Sequence, residues 1–444
     1  MTRIGFISLG CPKNQVDSEW MIGLTREAGW ELTNNPEEAE VLIVNTCGFI
    51  ESAKEESINT ILEMAKYKQT SACQALIVAG CLAERYSQDL LDEIPEIDAV
   101  MGTGAYRDIV TVIKRVLNKE RFTLLPAKGT GIDEPAPRVL TTPNYTAYLK
   151  IAEGCDNCCT YCIIPALRGP YISRPIELLL EEASQLVKSG VRELILVAQD
   201  TTRYGEDLYG HNRLVALVQR LAELPELVWI RLLYCYPSHF SDELIELMAT
   251  EPKVCRYIDL PLQHAHNDIL QRMNRTDTVE NVRLLLEKIR RRMPDVCLRT
   301  SLIVGFPGET EEEFAALQAF VAEQRFDRAG IFMYSQEEGT VAAEWENQVP
   351  QEIKEERYHQ LMAQQALTSE EKNRALEGTT FTVLVEGVDD EQDHVVVGRS
   401  RREAPDIDGV IYVERAGNAR VGEFITVKAL QGFTYDVLTE RIEG

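Results

Sequence analysis

No apolar run in this chain of 444 residues reaches the roughly 20 residues that a membrane-spanning helix needs. No signal-peptide pattern is present either, because Met1-Thr2-Arg3 leads straight into the apolar strand IGFISLG. These two absences predict a cytoplasmic protein. Positive charge is scarce: 46 Lys and Arg face 71 Asp and Glu, for a formal net charge of −25. Nucleic-acid binders gain affinity by neutralising phosphates with Lys and Arg. This surface should on average repel RNA and attract a basic macromolecule, although the same charge also serves plain solubility. A dinucleotide fingerprint is missing, since GTGAYRD at 102–108 lacks the third Gly. No distant C-x2-C or H-x3-H pair completes a zinc knot.

What the chain does have is cysteine. Eleven in a chain of this length do not suggest a secreted disulfide scaffold and fit a reducing compartment. Four crowd the stretch CDNCCTYC, at Cys155, Cys158, Cys159 and Cys162. Clustered thiols at turn-length spacing hold a metal or a cluster. In the frame C-x3-C-x2-C, the thiolates of Cys155, Cys159 and Cys162 hold three irons of a four-iron cluster and leave the fourth open. An electron-transfer cluster normally has four cysteine ligands, so the missing one points to chemistry at the iron. Rival frames use Cys158 as a fourth ligand or in a tetrahedral zinc site. Cys73, Cys235, Cys255 and Cys297 stand alone and read as buried, inert thiols.

The first part of the chain alternates strand and helix. Strands are expected at 3–9, 41–45, 75–79 and 98–101, with helices such as 50–66 and 82–93 between them, so a parallel α/β sheet follows. The Pro- and Gly-rich stretch 126–144 reads as a linker. A second alternation places strands at 147–152, 193–198, 228–233, 257–260, 297–304 and 328–333. Its helices are expected at 176–189, 213–223, 241–250, 279–293, 311–324 and 352–376. Six β/α units predict a full or partial parallel barrel, with its active site at the C-terminal strand ends. Residues 378–444 break into short β-runs that suggest a small β-barrel. The division is 1–135, 142–376 and 378–444.

Three further cysteines share one context. Cys11, Cys47 and Cys81 each follow a strand of the first sheet, in FISLGC, IVNTC and IVAGC. Ligand sites of open α/β sheets form along the carboxyl edge, so three thiols far apart in sequence should converge there.

C-x3-C-x2-C after the extended AYLKIAEGC resembles the radical S-adenosylmethionine enzymes. With SLGCPKN (8–14), NTCGF (45–49), AGCLAER (79–85), LRGPYISRP (167–175), DLPLQHA (259–265) and IVGFPGET (303–310), essentially the whole chain resembles the methylthiotransferases. The C-terminal barrel resembles a TRAM domain. The resemblance implies two [4Fe-4S] clusters. One, on Cys155, Cys159 and Cys162, cleaves S-adenosylmethionine to a 5′-deoxyadenosyl radical. An auxiliary one, on Cys11, Cys47 and Cys81, supplies sulfur. A second S-adenosylmethionine supplies the methyl group. An electron donor and a sulfur source are implied as partners.

Other residues are open to more than one reading. Gly305, Gly308 and Glu309 follow a strand where a ligand could approach the backbone, and in the family this turn lies near the S-adenosylmethionine pocket. Thr310 and Glu313 form a capping-box pattern. Gln199 and Asp200 end a barrel strand and face its mouth. Arg168 and Arg174 are candidates to grip a carboxylate or to pair structurally. His264 and His266 invite a metal reading, but a core hydrogen-bonding role for them, and for Gln263, is favoured.

The family divides by substrate, tRNA adenosine or an aspartate β-carbon of small-subunit ribosomal protein twelve. Residues 378–444 carry thirteen acids against seven bases, whereas an RNA-gripping module should be basic. SLGCPKN and GRSRREAPDIDG also resemble the protein-modifying branch, with Arg402-Glu403 a small departure. The basic ribosomal protein is therefore the expected partner, with Asp406 and Asp408 as candidate acidic contacts. Arg401 and Arg402 are left for ribosomal RNA. A cluster-bearing electron carrier without chemistry is the reading from a different class.

Overall fold

The computed structural model describes residues 2–389 and 395–442. Asp390, Glu391, Asp393 and Glu443, counted above among the acids, lie outside the described residues. By packing, the chain forms two compact units. One comprises Met1–Leu186, Leu196–Arg213 and Ser335–Ala343; the other comprises Val187–Ile195, Leu214–Tyr334 and Glu344–Gly444.

Six strands build the first sheet: β1 (Arg3–Ser8), β2 (Glu31–Thr33), β3 (Val41–Thr46), β4 (Ala75–Gly80), β5 (Ala99–Met101) and β6 (Phe122–Leu124). Their order is β2-β1-β3-β4-β5-β6, and every pair is parallel. β3 and β4 are buried at every position, as continuous apolar runs demand of strands covered on both faces. β2 and β6 have three residues each, too few to leave a periodic signal. The helices are α1 (Pro12–Glu27), α2 (Glu51–Thr70), α3 (Cys81–Arg85), α4 (Ser87–Glu93) and α5 (Ile109–Leu117). The single helix expected at 82–93 is two, because Tyr86 at ψ 36° leaves the helical region. Leu42, Val44, Ile61, Leu76, Val78, Leu82 and Val100 meet in this core.

The expected linker has no regular structure between Leu124 and Thr146, yet it is fastened to its unit. Buried Arg138 pairs with Glu19 of α1 at 2.6 Å and with Glu182 at 2.7 Å. Gly23 of α1 admits the linker backbone, since a Cβ there would stand 2.2 Å from the Pro137 carbonyl oxygen.

The second sheet comprises β7 (Thr146–Lys150), β10 (Glu193–Val197), β11 (Trp229–Leu232), β12 (Val254–Gln263), β13 (Cys297–Val304) and β14 (Arg328–Met333). A separate two-stranded ladder pairs β8 (Ala152–Glu153) with β9 (Ile172–Ser173). The six strands lie in sequence order in one open sheet, so the barrel is partial. The capping box forms at the helix Glu311–Gln324: Thr310 accepts from the Glu313 amide, and Glu313 accepts from the Thr310 amide. The C-terminal strands β15 (Thr380–Val388), β16 (Val396–Arg399), β17 (Ile411–Glu414), β18 (Phe424–Gly432) and β19 (Val437–Arg441) close a barrel in the order β15-β16-β17-β19-β18. Val383, Val385, Ile411, Val413, Ile425 and Val427 fill it.

Within the second unit, residues 399–408 are packed by buried ion pairs. Glu193, opening β10, accepts from Arg231 and from Arg399. Arg231 also donates to the Arg401 carbonyl at 3.0 Å. Arg328 pairs with Glu403 at 3.3 Å, and Arg402 with Asp327 at 2.8 Å. Asp408 accepts from the Tyr257 hydroxyl at 2.6 Å and from the Ala404 amide at 2.8 Å. Its side chain is 1 % exposed. Asp408 is thus a packing residue and not the surface acid expected from the sequence. Arg402 is likewise taken by Asp327, and the Arg401 guanidinium lies over the Trp229 ring. Of the four charged residues Arg401, Arg402, Asp406 and Asp408, only Asp406 is exposed.

Candidate iron–sulfur and cofactor site

The ends of β1, β3 and β4 stand side by side, with Ser8 opposite Asn45 and Thr46 opposite Gly80. Cys11 precedes α1, Cys47 follows β3 and Cys81 opens α3. Two glycines permit the approach. A Cβ on Gly10 (φ +86°) would stand 2.8 Å from the Cys47 Cβ, and one on Gly80 (φ +92°) 2.3 Å from Asn45 Oδ1. The thiols sit close enough to feel one another's charge. Burial pushes Cys81 up to about 12 and raises Cys47. At Cys11 burial acts the same way, but Lys13 and Arg168 outweigh it and hold that thiol below its ordinary value.

Arg168, buried in the short helix α6 (Ile164–Arg168), sets its positive charge against the Cys81 thiol and so opposes the effect of burial there. It also donates to Glu153 at 2.8 Å, Asp17 at 3.1 Å and Asn14 at 3.1 Å. Lys150 completes the group through Asp17 and Glu153. Burial opposes ionisation of Glu153, but Arg168 and Lys150 hold its carboxyl at about 2. Two cations therefore balance two carboxylates beside the thiols, and Lys13 adds a further positive charge. Three thiolates and a four-iron core of charge 2+ would leave a net negative site, which suits these residues. Arg168 thus pairs inside the protein.

Cys155, Cys159 and Cys162 lie in one loop and are half-buried, whereas Cys158 is exposed with φ +49°. Burial pushes Cys155 up to about 11 and Cys162 up to about 12. The loop is braced: the Cys155 amide donates to the Gly169 carbonyl, and the Cys162 amide to that of Cys159. Asn157 donates to Asp200 at 3.0 Å just past β10. Beside Asp200, both side-chain amide atoms of Gln199 are buried without a protein partner. An orphaned buried amide costs free energy unless a ligand satisfies it, so Gln199 fits a polar cofactor such as S-adenosylmethionine. Gln199→Leu should weaken S-adenosylmethionine binding by about fivefold to about thirtyfold, on ~1 kcal/mol for each of one or two hydrogen bonds lost, without lowering the melting temperature. An unchanged affinity in calorimetric titration of the cluster-loaded protein would remove Gln199 from the site.

The structure engages the other expected pocket residues elsewhere. Arg174 is buried and donates to the carbonyls of Ile132 and Lys150 and to Glu182 at 2.7 Å. Each of its three guanidinium nitrogens thus has a protein acceptor. In the second unit, Glu309 accepts from Arg357 at 3.1 Å, from the Gly305 amide and from His264 at 3.2 Å. The space over Gly305 is filled by Lys354, and that over Gly308 by Asn347 and Arg272. This turn is braced by protein groups. His264 Nδ1 accepts from the His266 amide, so both ring nitrogens are satisfied, as the core reading expected. Gln263 ends β12 with φ +71°. Cys73, Cys235, Cys255 and Cys297 are all buried. Sequence reasoning did not single out Lys13, Asn14, Asp17, Lys150 and Glu153. Four of them stand in or beside SLGCPKN and AYLKIAEGC, so the signal was there, but nothing local says that they meet.

Comparison with known proteins agrees with this architecture. Residues 149–321 match the radical SAM superfamily, 378–442 the TRAM domain, and 3–102 the uncharacterized protein family UPF0004. A radical S-adenosylmethionine methyltransferase, TsrM, from Kitasatospora setae shares the fold, with a TM-score of 0.56 and 15 % identity, covering 75 % of this chain and 72 % of that one. Fold and matches together define a radical S-adenosylmethionine enzyme carrying an added α/β domain and a TRAM barrel. The chain is 54 % identical to the ribosomal protein uS12 methylthiotransferase RimO of Desulforamulus reducens and 51 % identical to that of Pelotomaculum thermopropionicum, each over 99 % of both chains. It belongs to the RimO family of methylthiotransferases.

Proposed function

We propose that this protein methylthiolates the β-carbon of an aspartate in ribosomal protein uS12, the small-subunit protein twelve. It does so with two [4Fe-4S] clusters and two molecules of S-adenosylmethionine. The observation that carries the reading is the presence of both three-cysteine sets in one compact unit, joined through Arg168 and Glu153. Cys155, Cys159 and Cys162 would hold the cluster that, when bound, supplies the electron for S-adenosylmethionine cleavage. Cys11, Cys47 and Cys81 would hold the sulfur-supplying one. Arg168 and Lys13 offset thiolate charge at the second set, Asn157 and Asp200 orient the loop of the first, and Gln199 meets the cofactor. The division of labour follows 1–135, 142–376 and 378–444. An electron donor and a sulfur source complete the reaction. No helix of the described residues is long and apolar enough to cross a membrane.

The packing of residues 399–408 supports a protein substrate over tRNA. Arg399 and Arg402, which an RNA-binding barrel would present outward, are spent on Glu193 and Asp327. The test is mass spectrometry of uS12 from cells with and without this protein. One aspartate should gain a methylthio group in place of hydrogen only when the protein is present. Methylthio groups on tRNA adenosine with uS12 unmodified would overturn the assignment.

A further inference from the structure

The segment Ser335–Ala343 follows β14 in sequence, yet it packs with the unit that carries both cysteine sets. At its start, Glu337 is buried, with 2 % of its side chain exposed. Its carboxylate accepts from Arg85 at 2.8 Å and from Lys54 at 3.0 Å, and from the Ser335 hydroxyl at 2.6 Å. Arg85 lies one helical turn beyond Cys81 in α3. The same guanidinium donates to the Gly48 carbonyl at 3.0 Å, next to Cys47, and to the Glu338 carbonyl at 2.6 Å. Lys54 comes from the first turn of α2. At its far end, the Ala342 amide donates to the carbonyl of Thr160 at 2.9 Å, between Cys159 and Cys162. Midway, a Cβ on Gly339 would lie 3.3 Å from Ile163, which packs on Cys81.

The segment therefore spans the two cysteine sets, tied by ion pairs beside Cys47 and Cys81 and by a backbone hydrogen bond inside the Cys159–Cys162 loop. We propose that Glu337 is a positioning residue, the latch that fixes the radical-generating loop against the sulfur-supplying set. The proposal rests on the methylthiotransferase reading. Radical formation and sulfur supply each need only their own cysteines. Joining them requires a fixed separation, and a misplacement of about 1 Å can cost about a hundredfold in rate. A carboxylate held by two cations is a directional tie that a neutral amide of the same shape replaces poorly.

The experiment compares wild type with Glu337→Ala, Glu337→Gln and Glu337→Asp in the cluster-loaded full chain. The Ala and Gln variants should melt lower, because Arg85 and Lys54 lose a buried counter-charge, but should still fold and keep wild-type iron content and 5′-deoxyadenosine release. Methylthiolated product per 5′-deoxyadenosine should fall by about a hundredfold, and Glu337→Asp should recover part of it. Two readouts do not depend on product. Hydrogen exchange across 335–343 and at the 159–162 loop should accelerate, and the magnetic interaction between the two reduced clusters should weaken or broaden. Unchanged exchange and coupling in Glu337→Ala would overturn the proposal. Parallel loss of iron, fold and 5′-deoxyadenosine in all three variants would also overturn it, by making the role purely structural. If wild type leaves uS12 unmodified, the substrate reading fails, while exchange and cluster coupling still decide the latch.

Discussion

Replacing Cys155, Cys159 and Cys162 together by Ala should abolish 5′-deoxyadenosine formation. The triple Cys11, Cys47 and Cys81 variant should still form it and yet insert no sulfur. Each variant should retain about four of about eight irons after anaerobic reconstitution, since a three-thiolate set can carry one four-iron cluster. Cys158→Ser should keep them all, because Cys158 is exposed and turned by its positive φ out of the run of half-buried thiols. The measurements are iron analysis, chromatography of the nucleoside product and mass spectrometry of uS12. Normal methylthiolated product from the Cys11, Cys47 and Cys81 variant would end the sulfur-supply assignment. Loss of a cluster in Cys158→Ser with retention in Cys155→Ala would replace the ligand frame.

Glu193→Gln should cost about 3–5 kcal/mol, because it leaves two buried guanidinium groups without a counter-charge. Burial alone would raise the Glu193 carboxyl, but Arg399 and Arg231 outweigh it and hold the group at about 2, against an ordinary 4.5. The sign follows from linkage. The folded pKa is depressed, so the contribution is complete above pH about 4.5 and is lost as pH falls toward 2. A shift of this size corresponds to about 3 kcal/mol. Urea titrations at pH 7 and pH 3 should show the gap between wild type and variant shrinking at the lower pH, and a constant gap would refute the pairing. Deleting 378–444 should also destabilise the second unit. Arg231, Asp327, Arg328 and Tyr257 all lose partners among residues 399–408. The acidic barrel is thus not a detachable substrate clamp. Charge reversal at Asp408 tests folding, while Asp406 remains the exposed position where substrate affinity can be probed.

Much of this architecture is written in local pattern. VLIVNT and ALIVAG announce buried parallel strands, and the alternating helices demand a layered α/β arrangement. The C-x3-C-x2-C spacing brings three thiols together within one loop. Strand-then-cysteine, repeated three times, predicts a shared sheet edge because parallel strands end on one side. Period and spacing are properties of the chain itself, so a reader of the sequence recovers them.

Long-range pairing is different, because nothing in a residue's neighbourhood names its partner. Arg174 carries the same guanidinium whether it faces a cofactor or Glu182, and only packing assigned it to Glu182 and two carbonyls. Asp408 carries the same carboxylate whether it faces solvent or a partner, and the fold gives it the Tyr257 hydroxyl. Gly305 and Gly308 looked like ligand cradles, but Lys354, Asn347 and Arg272 fill the space. Glu337 stands far from Arg85 and Lys54 in sequence and shares one buried charge centre with them. The sequence alone determined the elements, the cysteine sets and the family resemblance. Tertiary structure alone decided which charges are buried together, since burial and pairing arise from segments that meet only after the chain has folded.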